Sequence, residues 1–119
     1  MRRVEKPWGH EIIWAETERY AGKMLHITAG HALSLQYHER KAESIFVLNG
    51  RLHLHSAPTP DSEVEITVLE TGESFDITPF TVHRFEARED VVLIEVSTPE
   101  LDDVVRLEDR YGREGTSDA

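Results

Sequence analysis

The chain has 119 residues, a formal net charge of −10, 39% hydrophobic and 30% charged residues, and no cysteine. That length builds one domain with a modest core, and without cysteine any metal must be held by nitrogen and oxygen ligands, with disulfides and thiolate nucleophiles excluded. The acidic balance argues against a nucleic-acid partner, which needs a basic surface, and no apolar run reaches the roughly eighteen residues of a membrane span.

The N-terminus, Met1 to Pro7, carries basic residues with no apolar stretch behind them. No secretory signal is expected, and a cytoplasmic location is. Val4 to Trp14 reads as an N-terminal strand or arm. A small all-β domain has sheet edges to cover, so the segment is expected to cross to, or pack against, a neighbouring subunit in a homodimer. Trp8 and Trp14 can stack on a sugar ring, although filling a core or interface is the commoner role.

Apolar–polar alternation then predicts strands at 24–28, 33–38, 44–48, 52–55, 64–69, 74–77, 83–86 and 91–97. Turn signals separate them: Ala29-Gly30, Asn49-Gly50, Pro58 to Asp61, Thr71-Gly72 and Arg88 to Asp90. Asn49-Gly50 predicts a tight hairpin with positive φ at both residues. Pro99 to Arg106 is expected to make a short turn. No segment of ordinary length shows a helical period. Short strands with frequent turns indicate an antiparallel sandwich or barrel spanning 1–113, with 114–119 a frayed tail.

Four residues on these strands can share one metal ion. Gln36 and His38 are two apart, so a strand points them to the same face. Glu43 follows across a turn, and His83 arrives on a later strand. One amide oxygen, two imidazoles and one carboxylate suit a single divalent ion per chain, zinc first, with Mn, Fe, Co or Ni also compatible. His53 and His55 form a second His-x-His pair but have no carboxylate spaced for them, and a solvent-facing strand is the expectation. His26 is expected at the surface. Lys23 has the parity of Leu25 and Ile27, which points it inward. Lys41 precedes Glu43 by two; it either shares the ligand's face or sits in a turn facing water. Lys23, Lys41, Arg84 and Arg106 are the candidate basic groups for an anionic substrate.

Gly30-x5-Gln36-x-His38-x4-Glu43-x6-Gly50 resembles the first cupin motif, and Gly72-x5-Thr78-x-Phe80-x2-His83-x3-Ala87 has the spacing of the second. Gln36 replaces the more usual histidine; Thr78, Phe80 and Ala87 replace Pro, Gly and Asn. Lys6-Pro7-Trp8-Gly9, Ser34-Leu35-Gln36-Tyr37-His38 and the run from Asp103 to Arg113 are similar to the mannose-6-phosphate isomerase-like branch of the cupins. That branch includes the C-terminal domain of type II phosphomannose isomerase/GDP-mannose pyrophosphorylases. The resemblance implies a double-stranded β-helix, or jelly roll, with a metal on Gln36, His38, Glu43 and His83. It also implies a sugar or sugar-phosphate substrate and aldose–ketose isomerisation. Lys41 and Lys23 are the candidate catalytic groups, binding phosphate or stabilising charge, and acting as a base only if burial lowers their pKa. A noncatalytic carbohydrate-binding cupin and an oxidative cupin using Fe(II) and O₂ are the alternatives.

Overall fold

In a computed structural model, residues 1–100, 102–113 and 115–117 are described, the last three as backbone only. The strands are β1 (Arg2–Lys6), β2 (Gly9–Glu16), β3 (Ala21–Ile27), β4 (Leu35–Tyr37), β5 (Glu43–Asn49), β6 (Leu52–Ala57), β7 (Glu65–Leu69), β8 (Ser74–Ile77), β9 (Val82–Glu86), β10 (Val91–Ser97), β11 (Val104–Glu108) and β12 (Gly115–Ser117). There is no helix among the described residues, hence none long and apolar enough to cross a membrane. One sheet runs β1-β2-β3-β10-β5-β8 and the other β12-β11-β4-β9-β6-β7, antiparallel throughout. From β3 onward the chain repeatedly changes sheet, and the product is a double-stranded β-helix, the jelly roll expected from the strand pattern.

The interior is divided along the strands rather than between them. Alternate residues of each strand point inward, apolar at one end and polar at the other. On β3 the inward residues Leu25 and Ile27 follow Lys23; on β5 Ile45 and Val47 follow Glu43; on β9 Phe85 follows His83. On antiparallel β10 the order reverses, with Val91 and Leu93 ahead of Glu95. Register puts Leu93 against Leu25 and Glu95 against Lys23, so like meets like between β3 and β10, whereas Glu11 stands against Leu25 and Ile77 against Glu43. One end of the barrel is an apolar plug closed by Trp8, Leu52, Leu54 and Leu69. Each such buried side chain stabilises the fold by about 1.5–3 kcal/mol. The other end holds charge.

Val4 to Trp14 spans the β1–β2 hairpin; β2 pairs with β3 of the same chain, and β1 is left at the edge of its sheet. Trp8 is buried in this chain's core, while Trp14 is 45% exposed and lies over Gly22. Two sequence expectations need correction. Pro99 to Arg106 is only partly a turn, because Val104 already begins β11. Asn49-Gly50 does not close a hairpin, because β5 and β6 lie in different sheets. Gly50 alone of the two has positive φ, 91°, and a Cβ there would stand 2.5 Å from the Asp90 carbonyl oxygen. The glycine serves a close backbone approach at a change of sheet, not a primed turn. Gly50→Ala is expected to lose about 1–3 kcal/mol or more, read as a lower urea midpoint. An unchanged midpoint would refute this reading. Of the segment expected to fray, the backbone of 115–117 pairs with β11, and Glu114, Asp118 and Ala119 lie outside the described residues.

Candidate metal centre

His38, Glu43 and His83 meet inside the polar end of the barrel, each offering one donor atom, all within 4.8 Å of one another. Glu43 Oε1 lies 3.3 Å from His83 Nε2 and 3.7 Å from His38 Nε2. The His38 Nδ1–H donates to the Asp103 carbonyl at 2.6 Å, and the His83 Nδ1–H to the Thr81 carbonyl at 3.0 Å. A carbonyl can only accept, so both rings carry their proton on Nδ1 and a lone pair on Nε2. Those two Nε2 atoms are buried and have no hydrogen-bond partner. Burial pushes the Glu43 carboxyl up, but the Lys41 ammonium beside it leads the opposing effects, and the carboxyl is held well below the usual range. Two lone pairs therefore face a carboxylate oxygen with nothing electropositive between them. Such a set is costly empty and suited to a divalent cation. Gln36, paired in register with His83, lines the same cavity, and its amide oxygen accepts from the Ser34 hydroxyl at 2.9 Å.

The loop between His38 and Glu43 is shaped from outside its own strands. The Asp103 carboxylate accepts the backbone N–H groups of Glu39, Arg40 and Lys41 at 2.7–3.2 Å. Burial pushes the Asp103 carboxyl up, and these three donors more than compensate, so its pKa lies below the usual 3.8. A carboxyl depressed by folding stabilises fully above its unfolded pKa. That contribution is lost as pH falls from there through the lowered folded value. Asp103→Ala is expected to cost about 3 kcal/mol at neutral pH and much less near pH 2, and to weaken metal binding about tenfold. Paired denaturant titrations at the two pH values check the sign; equal losses at both would reject it.

On the second motif's turn, Phe80 takes φ of 68°, the left-handed region, where the resembling motif carries glycine. A non-glycine residue there costs about 1–2 kcal/mol. In return the Phe80 N–H donates to the His38 carbonyl at 2.7 Å, and the ring stacks on Tyr37 with centroids 5.8 Å apart. The strained residue thus ties the His83 turn to the end of β4.

Lys41 is buried, not turned to water. Its ammonium lies 3.1 Å from Glu43 Oε2 and 3.4 Å from Glu95 Oε2. Burial pushes that ammonium down, but Glu95 and Glu43 prevail and hold it above the ordinary lysine range. The condition for Lys41 to act as a base is therefore reversed here. Lys23 also points inward and pairs with Glu11 at 3.5 Å. Arg106 lines the cavity, whereas Arg84 is directed away from it, to the Leu33 and Glu108 carbonyls. His53 and His55 alternate with the core residues Leu52 and Leu54 and face outward, though His55 meets the Glu86 carboxylate at 2.9 Å, a partner not visible in the spacing. His26 stacks on His10, centroids 4.4 Å apart, on the outer side of β3.

Sequence reasoning missed four groups that line the same cavity: Lys6, Glu11, Glu95 and Arg113. The parity of Glu11 with Ile13, and of Glu95 with Leu93, was the available signal. Glu95 stands out. Burial first, and then the nearby Glu43, push its carboxyl above the usual range against the pull of Lys41.

The family described as mannose-6-phosphate isomerase C-terminal matches residues 1–109. The mannose-1-phosphate guanylyltransferase ManC of Salmonella typhimurium is 38% identical over 117 residues, covering 94% of this chain and 23% of that protein. The chain thus spans about a quarter of the length of the curated relatives it matches. Among solved structures, the capsular polysaccharide assembling protein CapF of Staphylococcus aureus superposes with a TM-score of 0.79 at 20% identity, over 90% of this chain and 34% of that one. An RmlC-like cupin of Shewanella frigidimarina gives 0.64 at 19% identity, over 76% of this chain and 75% of that one. These two likenesses show the fold.

Proposed function

The chain belongs to the mannose-6-phosphate isomerase C-terminal family, and from that premise we propose that it is a metal-dependent aldose–ketose isomerase of a sugar or sugar phosphate. One observation carries the reading: two unpartnered imidazole Nε2 atoms and a carboxylate oxygen converge in a buried cavity that also holds an ionisable carboxyl, Glu95. The donor set fits a borderline divalent ion, held by His38, Glu43 and His83 with Gln36 beside them. When bound, that ion would supply Lewis-acid polarisation of the substrate's oxygens.

The remaining work falls to the chain's own residues. The Glu95 carboxylate takes the proton from C2 of the open-chain aldose. The electron pair forms the C1–C2 double bond of a cis-enediol skeleton as the C1 carbonyl pair moves onto O1; the O2 hydroxyl proton passes to O1, and the proton held by Glu95 returns to C1 as the ketose carbonyl forms at C2. A carboxyl whose proton affinity is raised by burial is better matched to this task near neutral pH than an exposed one. Lys41, kept charged between Glu43 and Glu95, stabilises negative charge developing on the substrate oxygens, and Lys23 adds to the same field. Deuterium exchange at C2 of mannose 6-phosphate in D₂O, followed by NMR, tests the proposal. Absence of exchange at full metal occupancy, with hexose 6-phosphates and free hexoses alike, rejects it.

A second reading, a noncatalytic carbohydrate-binding domain, is favoured by the commitment of Lys41 to ion pairs with Glu43 and Glu95, which keeps that lysine from acting as a base. It predicts sugar binding without exchange.

A further inference from the structure

We propose that the outer face of the β2-β3-β10-β5 sheet is a twofold interface with a second copy of this chain, the Trp14 ring of each copy seating in a groove beside Tyr20 and Val96 of the other. The inference stands apart from the isomerase reading and holds equally for a binding domain.

Alternation sends every second residue of these four strands away from the core. Register lines up Ile12, Met24, Ile94 and Phe46 in one row across them. Val96 and Trp14 continue the apolar face to one side of the row, and Leu48 to the other. Four of these side chains are left well exposed: Trp14 45%, Phe46 40%, Leu48 43% and Val96 48%. The chain is 30% charged, yet among the described residues no lysine, arginine, aspartate or glutamate faces outward from these four strands. The fold does not demand this. On the outer face of the opposite sheet, β6 and β9 carry His53, His55, Arg84 and Glu86.

Size and charge both favour a second copy. Strands about 4.8 Å apart, with same-face residues about 6.8 Å apart, make the four-stranded apolar centre about 400 Å² in plan, and the whole six-stranded face about 600 Å². An apolar centre of that extent with a polar rim is on the scale of a stable interface, which buries about 800 Å² of each partner. Two copies with a net charge of −10 each repel over most of their surface. They approach at least cost through a face without charge, whereas a basic partner is drawn to the acidic surfaces elsewhere.

Shape points the same way. Trp14 lies across Gly22, where a Cβ would stand 2.6 Å from the ring, so the missing side chain lets the indole lie down on the sheet. Beside it opens a groove of about 480 Å³ lined by Arg19, Tyr20, Asp76 and Val96, among others. An indole entering that groove meets an aromatic ring and a guanidinium. The Asp76 carboxylate is already occupied, accepting from the Ser44 hydroxyl at 2.8 Å. A projecting ring and an open groove on one face are self-complementary under a twofold axis, as an isologous interface requires.

Sedimentation equilibrium of the full chain tests this. Expected at micromolar concentration is a mass of about 27 kDa, twice the 13.6 kDa of one chain. Phe46→Glu and Val96→Lys, both at exposed positions, should each weaken association about a hundredfold or more by burying an unpaired charge, with far-ultraviolet circular dichroism unchanged. Trp14→Ala should weaken it about thirtyfold or more. Ile66→Glu, at a 53% exposed position on β7, should leave the dimer intact. Fluorescence gives a second readout. Trp8 is in the core, so a red shift of the emission on dilution to nanomolar concentration belongs to Trp14 and should vanish in Trp14→Phe. A wild-type mass of one chain, even at submillimolar concentration, overturns the proposal and leaves the face to an unlike partner. A dimer that survives both Phe46→Glu and Val96→Lys, or one that is lost in Ile66→Glu, lies elsewhere and overturns it too. A dimer broken by those two changes but untouched by Trp14→Ala overturns the seating of the indole.

Discussion

Alanine in place of His38 or His83 is expected to lower divalent-metal affinity by about two to three orders of magnitude, leaving the purified protein depleted of metal. A site of structural quality supplies about 10–16 kcal/mol, and one of its imidazoles about a quarter of that, or roughly 2.5–4 kcal/mol. The two substitutions should act alike, because both rings are prepared in the same way: Nδ1–H on a backbone carbonyl, Nε2 directed at Glu43 Oε1. His53→Ala, on the outward face of β6, should retain full metal. Acid should mimic the alanines, since a protonated Nε2 cannot ligate, so occupancy should fall as the solution is acidified. Elemental analysis of the three variants decides the matter; full metal in both His38→Ala and His83→Ala would dismiss the site.

The convergence of the candidate donors was legible in the sequence for a physical reason. Spacing of two on β4, one turn to β5, and an inward parity on β9 place Gln36, His38, Glu43 and His83 without any knowledge of the rest of the barrel. Strands with one wet face were equally legible, and β8 and β10 have the predicted bounds. β1 was not, because Arg2 to Lys6 is a largely exposed edge strand with no apolar alternation to read. Alternation also says nothing about which sheet a strand joins, which is why Asn49-Gly50 was misread. The inward course of Lys41 depends on Asp103, far along the chain, which holds three backbone N–H groups of the preceding loop. Glu95 and Glu11 were hidden differently. Each follows its strand's inward parity, but a carboxylate among apolar residues signals a site only once register shows several strands turning polar at the same end.

Glu95→Gln is therefore the most informative single change, with C2 proton exchange expected to fall about 10²–10⁴-fold while metal stays bound. The amide keeps the carboxylate's shape and can still accept from Lys41, whose second partner, Glu43, is untouched. What disappears is the ability to take up a proton. Lys41→Met should behave differently. It removes the cation nearest to Glu43 and with it the repulsion on an incoming metal ion, so metal affinity should hold or rise while exchange falls in part, as expected of a group that neutralises developing charge rather than one that accepts the proton. EDTA should abolish exchange in the wild type, since the substrate's C2 proton is not acidic enough without a polarised carbonyl. Exchange is the sensitive readout, because a base working through an enediol passes some of its protons to water even when net conversion is slow. Wild-type exchange in Glu95→Gln would remove Glu95 from the mechanism. Exchange lost together with the metal would reduce it to a structural support of Glu43. Only loss of exchange at full metal occupancy identifies the proton-transfer group.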